Sequence, residues 1–268
     1  MSLYNVQNQW GGNSAPWHPG GIFNIGNRDG QLPIALQISS GDGGKSFSGT
    51  MTYVNEGPIG FRGTLVTMNT YNVQNQWGGN NAPWHEAGLF LLGAREGQNA
   101  VAFDIKSADA GKSFTGTMTY AGEGPIGFKG SNAEGQAYNA KNQWGGSSAP
   151  WHEGGQWVLG CRAKQAVVGV NVMSNDGGKS LAGRMTYAGE GPIGFKGTLI
   201  AANTYVVENQ WGGNDAPWHP GGQWVIGCRG AQHVIALQAE ASASSGGNLT
   251  GVMTYSGEGP IGLTLTKS

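Results

Sequence analysis

The chain has 268 residues, 12% of them charged, and a formal net charge of -1. Its length accommodates two domains of ordinary size, near roughly 100–150 residues each, and its balanced charge provides no field to gather phosphates, so nucleic acid is not an expected partner. No segment approaches the roughly 20 apolar residues of a spanning helix, and "MSLYNVQNQW" has no signal-peptide pattern; the expectation is no membrane insertion and a cytoplasmic protein, or one exported without a recognisable signal peptide.

Taken in chain order, the first predicted elements are five short strands. They are "LYNVQNQW" from Leu3, "IFNIGNR" from Ile22, "LPIALQIS" from Leu32, "SFSGTMTYV" from Ser46 and "IGFRGTLV" from Ile59. Each is rich in β-branched or aromatic residues, often alternates with polar ones, and is bounded by Gly, Asn, Asp or Pro clusters. No segment has the length and period of a helix. The stretch "NQWGGNSAPWHPGG" at Asn8 then returns with small changes at Asn75, Asn142 and Asn209, a period of 67 residues. The 50 glycines stand in phase with the strands, as turns rather than as low-complexity sequence.

Five strands alone leave open edges and a thin core, whereas ten can close a barrel. The junctions say which repeats pair. "GFRGTLVTMNTYNV" and "GFKGTLIAANTYVV" carry the apolar alternation across, while "GFKGSNAEGQAYNA" loses it near 131–137. The expected fold is all-β: two tandem ten-stranded barrels, 1–133 and 134–268, each built from two repeats of about 67 residues.

Across the four copies two charged residues are always present: Arg28, Arg95, Arg162 and Arg229, and Glu56, Glu123, Glu190 and Glu258. Asp42, Asp109 and Asp176, Lys45, Lys112 and Lys179, and Arg62, Lys129 and Lys196 lack counterparts in the fourth copy and read as solvated positions. A planar guanidinium beside a carboxylate suits vicinal hydroxyls; the same pair could equally brace two loops. Glycine-rich loops with aromatics favour the first role. Trp10, Trp77, Trp144 and Trp211, each before Gly-Gly, read as stacking platforms beside accessible backbone amides. Trp17, Trp84, Trp151 and Trp218, held in "APWH", read as packing over the barrel ends, and Trp157 and Trp224 as core. His18, His85, His152 and His219 are expected to make loop hydrogen bonds, one per repeat being too few for a metal site. Cys161 and Cys228 read as small thiols, with neither disulfide nor metal expected. An enzyme is disfavoured: glycoside hydrolysis takes two carboxylates, the fourth copy keeps only the glutamate, and no nucleophile or phosphate-loop motif is present.

The four "NQWGG…APWH" stretches, the "MTY..EGPIG" segments and the period resemble the Oscillatoria agardhii agglutinin homologue family, lectins of high-mannose glycans. The resemblance spans essentially the whole chain. It implies continuous antiparallel ten-stranded barrels with a sugar site at either end, needing no cofactor, and sites built across repeats. In the first barrel, Trp10, Gly11 and Gly12 would join Arg95, Glu123 and Gly124, and Trp77, Gly78 and Gly79 would join Arg28, Glu56 and Gly57. In the second, Trp144, Gly145 and Gly146 would join Arg229, Glu258 and Gly259, and Trp211, Gly212 and Gly213 would join Arg162, Glu190 and Gly191. It further implies an agglutinin for the branched mannose core of N-linked glycans, including those of viral envelope glycoproteins; the chain is expected to be a monomer. Leu263 and Thr264, in place of Phe-Lys, and one extra residue in "ASASSGGN" set the Glu258 site apart.

Overall fold

The computed structural model describes residues 2–268 except 29, 96, 134, 163, 164, 202, 231 and 243–246. The extra residue of "ASASSGGN" and the counterparts of Asp42 therefore lie outside the described residues. Contacts divide the chain into two units, Met1–Ala133 and Glu134–Ser268, and among the described residues there is no helix.

The first unit contains β1 (Leu3–Gln9), β2 (His18–Asn24), β3 (Pro33–Ser39), β4 (Ser46–Tyr53), β5 (Ile59–Thr67), β6 (Thr70–Gln76), β7 (His85–Leu91), β8 (Ala100–Lys106), β9 (Ser113–Tyr120) and β10 (Ile126–Asn132). They close in the order β1-β10-β9-β8-β3-β4-β5-β6-β7-β2, every pair antiparallel. The second unit repeats this with β11 (Gln136–Gln143), β12 (Trp151–Leu159), β13 (Val167–Met173), β14 (Ser180–Tyr187), β15 (Ile193–Ala201), β16 (Thr204–Gln210), β17 (Trp218–Val225), β18 (Val234–Ala241), β19 (Leu249–Tyr255) and β20 (Ile261–Lys267). Its order is β11-β12-β17-β16-β15-β14-β13-β18-β19-β20. Closure removes the edges that five strands alone would expose.

The order has a direct consequence. Each repeat's last strand pairs with the first strand of the other repeat in its barrel: β5 with β6 through a tight turn, and β10 with β1 by closure, Gly60 facing Gln76 and Gly127 facing Gln9. Directions alternate around a ten-membered antiparallel ring, so β1 and β6 run oppositely. Their C-terminal ends, and the loops of Trp10 and Trp77, lie at opposite ends of the barrel.

Alternation fills the interior. On β3, Leu36 and Ile38 point in and Gln37 outward; on β4, Phe47, Met51 and Tyr53 are buried. Phe23, Phe103 and Phe128 meet edge to face at centroid distances of 5.8–6.4 Å, a favoured aromatic geometry. In the second barrel Trp157 and Trp224 are core residues, fully buried, their indole N–H groups donating to the carbonyls of Gly154 and Gly221. Cys161 and Cys228 are free thiols, each Sγ 3.4 Å from a tyrosine hydroxyl, of Tyr187 and Tyr255.

The second strand differs from its expected span of Ile22–Arg28. It begins at His18 and ends at Asn24, because register against β1 takes Asn8 to His18 and Leu3 to Asn24. A bulge between Val6 and Gln7 absorbs Gly20, where a Cβ would stand 2.6 Å from Asn8 Oδ1. Arg28 therefore sits in the following loop rather than closing the strand.

Candidate functional site

Each glutamate is set by a turn leaving a "MTY" strand: the amides of Glu56, Glu123, Glu190 and Glu258 donate to the carbonyls of Tyr53, Tyr120, Tyr187 and Tyr255 at 3.0–3.1 Å. The partnering arginine belongs to the same repeat. Nη1 of Arg28, Arg95, Arg162 and Arg229 lies 2.5–2.7 Å from the carboxylate of Glu56, Glu123, Glu190 and Glu258. The guanidinium carbon rests 4.2–4.3 Å from the ring centre of the tyrosine that ends the strand, a cation–π contact. The loop-bracing role thus exists in every copy. With carboxylate side chains 35–39% exposed, it still leaves oxygens open to a ligand.

A third member was missed from sequence. Gln31, Gln98 and Gln165 each donate from Nε2 to the glutamate at 2.9–3.1 Å and to a turn carbonyl, of Val54, Ala121 or Ala188, while Oε1 accepts from the arginine. In the fourth copy Gln232 accepts from Arg229 and donates to Ser256. A glutamine three residues after each arginine was a visible signal. In the first three copies these partners hold the carboxyl below the ordinary glutamate range, Glu56 and Glu190 chiefly through glutamine and then arginine, Glu123 through Arg95 and then Gln98.

The tryptophan loop comes from the other repeat. After β1, Gly11 and Gly12 take φ of +91° and +95°, and Gln9 Nε2 closes the loop on the carbonyls of Asn13 and Ala15. Trp10 stays 46% exposed above this bare backbone. Its indole lies 5.5 Å from the Arg95 guanidinium; Trp77 lies 5.5 Å from Arg28 and Trp144 5.9 Å from Arg229. One groove is lined by Trp77, Gly78 and Gly79 with Arg28, Glu56 and Gly57, another by Trp10, Gly11 and Gly12 with Glu123 and Gly124. Register places the remaining loops likewise: Gln143 before Trp144 faces Gly262, and Gln210 before Trp211 faces Gly194. In the first barrel the geometry thereby juxtaposes the residue sets that the sequence resemblance joins, and in the second it sets Trp144 beside Arg229.

Four readings change. Trp17 and Trp84 are half-buried and line the same two grooves, and Trp151 is 43% exposed, so the second tryptophans form groove walls rather than plugs. The histidines stack: His18, His85, His152 and His219 lie 4.1–4.2 Å from Trp10, Trp77, Trp144 and Trp211 at 16–17°, where loop hydrogen bonds were expected. Arg62, Lys129 and Lys196, read as merely solvated, cover Trp84, Trp17 and Trp218 at 3.8–4.5 Å. Asp42, Asp109 and Asp176 also have a task. Each accepts from two serines and from backbone amides of its own turn, which holds the carboxyl well below its usual range.

An exposed indole, glycine amides free of side chains and a single guanidinium–carboxylate pair can hold a neutral polyol by stacking and directional hydrogen bonds. Each of the two outlined grooves offers one carboxylate, where glycoside hydrolysis takes two. Among the described residues no group of three His, Cys, Asp or Glu is placed to hold a metal.

Fold and site together define a sugar-binding β-barrel protein. The OAA-family lectin sugar binding domain matches residues 2–66, 69–133, 136–200 and 203–268, and the chain belongs to that family of lectins. It is 62% identical over 262 residues to the myxobacterial hemagglutinin of Myxococcus xanthus, covering 98% of both chains. The structure of that hemagglutinin in complex with α3,α6-mannopentaose superposes with a TM-score of 0.94 at 60% identity, covering 99% of this chain and 100% of the other. The agglutinin of Burkholderia oklahomensis also gives 0.94 at 61% identity, covering 99% and 94%. The relatives are named as lectins and agglutinins, and the chain is a carbohydrate-binding protein rather than an enzyme.

Proposed function

We propose that the protein binds the branched mannose core of N-linked high-mannose glycans at four metal-independent sites and agglutinates by cross-linking glycoproteins, viral envelope glycoproteins among them, as a monomer. The observation that carries this is the placement of Trp10 beside Arg95 and of both beside Glu123, residues from two repeats meeting in one groove. The mannopentaose complex of the hemagglutinin 60% identical to this chain supports the sugar class.

Sugar rings stack on Trp10, Trp77, Trp144 or Trp211. Amides of the following glycines donate to hydroxyls, and the Arg–Glu pair grips the branch by charge-assisted hydrogen bonds. Contacts to a neutral sugar are individually weak, so four sites act through effective concentration.

The test is calorimetric titration of the full chain with mannopentaose. Arg95→Ala combined with Glu123→Ala should reduce four sites to three, with an unchanged β-sheet circular dichroism spectrum. Four sites in that variant would sink the assignment of this groove. A glycan array without oligomannose signal would return the Arg–Glu pairs to loop bracing alone.

A further inference from the structure

The four grooves differ at one flank. Thr50 of β4 lines the groove of Trp77 and Trp84, and Thr117 of β9 lines that of Trp10 and Trp17. Register carries this position to Arg184 on β14 and Val252 on β19: Thr50 faces Gly60, Thr117 faces Gly127, Arg184 faces Gly194 and Val252 faces Gly262. Each of those glycines underlies the tip of a second tryptophan. Cη2 of Trp84, Trp17, Trp218 and Trp151 stands 3.2–3.3 Å from where a Cβ would be. The position is geometrically the same four times, and only its chemistry changes.

A neighbouring position strengthens the contrast. Lys196 lies 3.8 Å over Trp218, Lys129 4.1 Å over Trp17 and Arg62 4.5 Å over Trp84, whereas Thr264 stands there beside Trp151. These two positions supply two cations at the Trp218 flank, one each at Trp17 and Trp84, and none at Trp151, where Lys141, opposite Thr264, is paired with Glu153 at 3.6 Å. Exposure agrees: Trp151 is 43% exposed, whereas Trp17, Trp84 and Trp218 are half-buried. Arg184 has Asn171 and Gly194 as register neighbours, neither charged. Of the nearby carboxylates, Glu190 is engaged by Arg162 and Glu208 lies on the far side of Lys196. Asp215 occupies the place of Ser14 and Asn81, outside the lining of the two outlined grooves.

We infer that Arg184 is a specificity-determining residue, which makes the groove of Trp211 and Trp218 prefer oligomannose carrying an anionic substituent, a phosphate monoester or a carboxylate, on a sugar reaching toward Trp218. A guanidinium offers such a group paired, charge-assisted donors that threonine or valine lacks. The inference rests on the mannose-binding reading of the grooves and adds a ligand class for one of them. The grooves with Thr50 and Thr117 rank lower for such ligands, and the one with Val252 lowest.

Calorimetry of the full chain with neutral mannopentaose, a counterpart phosphorylated at O6 of a terminal mannose, and one ending in glucuronate tests this. The neutral sugar counts working sites. The anionic sugars should fill one site about fivefold to tenfold more tightly than the rest, the gain shrinking as salt rises; the acid giving the larger gain identifies the source. Arg184→Thr should merge that site with those of the first barrel, and Val252→Arg should create a second tight site. Neutral binding at four sites without a tighter anionic site, or a tight phase that survives Arg184→Thr, would overturn the inference. Absence of neutral binding would instead overturn the mannose reading, and the inference with it.

Discussion

Replacing Gln31, Gln98, Gln165 and Gln232 together by alanine should weaken every site without removing any. Each glutamine fastens the turn that carries its glutamate: at Gln98, Nε2 donates to Ala121 at 2.8 Å and to Glu123 at 3.1 Å, and Oε1 accepts from Arg95 at 3.0 Å. An intramolecular hydrogen bond is worth about 0.5–1.5 kcal/mol net, and these are part-buried or exposed. Here the carboxylate side is more than a third exposed and water replaces much of what is lost, so at the Glu123 site the sum falls to about 1 kcal/mol, or about fivefold in affinity. Titration with mannopentaose should keep four sites and raise Kd about fivefold. The acid limb should move as well. The pKa of Glu56, Glu123 and Glu190 is depressed in the folded protein, so at those three sites the contribution of the ionised form is present above the ordinary value of about 4.3 and is lost as pH falls through the lowered folded value. Removing glutamine shifts that loss to higher pH. Unchanged affinity together with an unchanged acid limb would show that arginine alone places the glutamate, and lost sites rather than weakened ones would show that glutamine touches the sugar.

Gly116→Ala should destabilise the first barrel by about 3 kcal/mol or more, because a Cβ there meets the Asp104 carbonyl at 2.1 Å and φ is +150°; urea unfolding reads this, with Gly41→Ala, which meets open space, as the control. His18→Ala removes the ring stacked at 4.2 Å under Trp10 and should weaken that groove about threefold, seen in titration of a chain whose other three grooves are silenced at Arg28, Arg162 and Arg229. Because Cys161 and Cys228 are free thiols, dithiothreitol should leave Tm unchanged in differential scanning calorimetry, and a fall would point to a disulfide.

The parts legible in sequence were those written as a local pattern. Alternation in "LPIALQIS" and "SFSGTMTYV" exposes β3 and β4, and the charged residues common to four copies lead to Arg28 and Glu56. What stayed hidden depends on contacts between strands. "HPGG" has no alternation, and only its register against β1 makes it part of β2. Trp17 stands in a Pro-constrained turn, which suits a plug as well as a wall; the position of its ring over Gly127 makes it a wall. Lys129 looked dispensable because the fourth copy has threonine, yet its partner is the neighbouring indole. Gln98 has a counterpart in every copy, but a neutral amide does not stand out among charges, and only its bonds to Arg95 and Glu123 give it a role.

One repeat cannot build a site from its own residues. Trp10 follows β1 and Glu56 precedes β5, strands four steps apart around the ring with β2, β7 and β6 between them. The two sites of a barrel thus reach one local geometry by different routes. Trp77 meets Glu56 across the β5–β6 turn, a contact between neighbours in sequence, whereas Trp10 meets Arg95 and Glu123 only once β1 has paired with β10. Loops closed over long sequence separations form late and cost more chain entropy. During refolding of the full chain, the Trp77 groove should therefore become competent before the Trp10 groove. Stopped-flow sugar binding to chains keeping one groove or the other would show this as a lag for Trp10 alone, and equal lags would mean that closure precedes both.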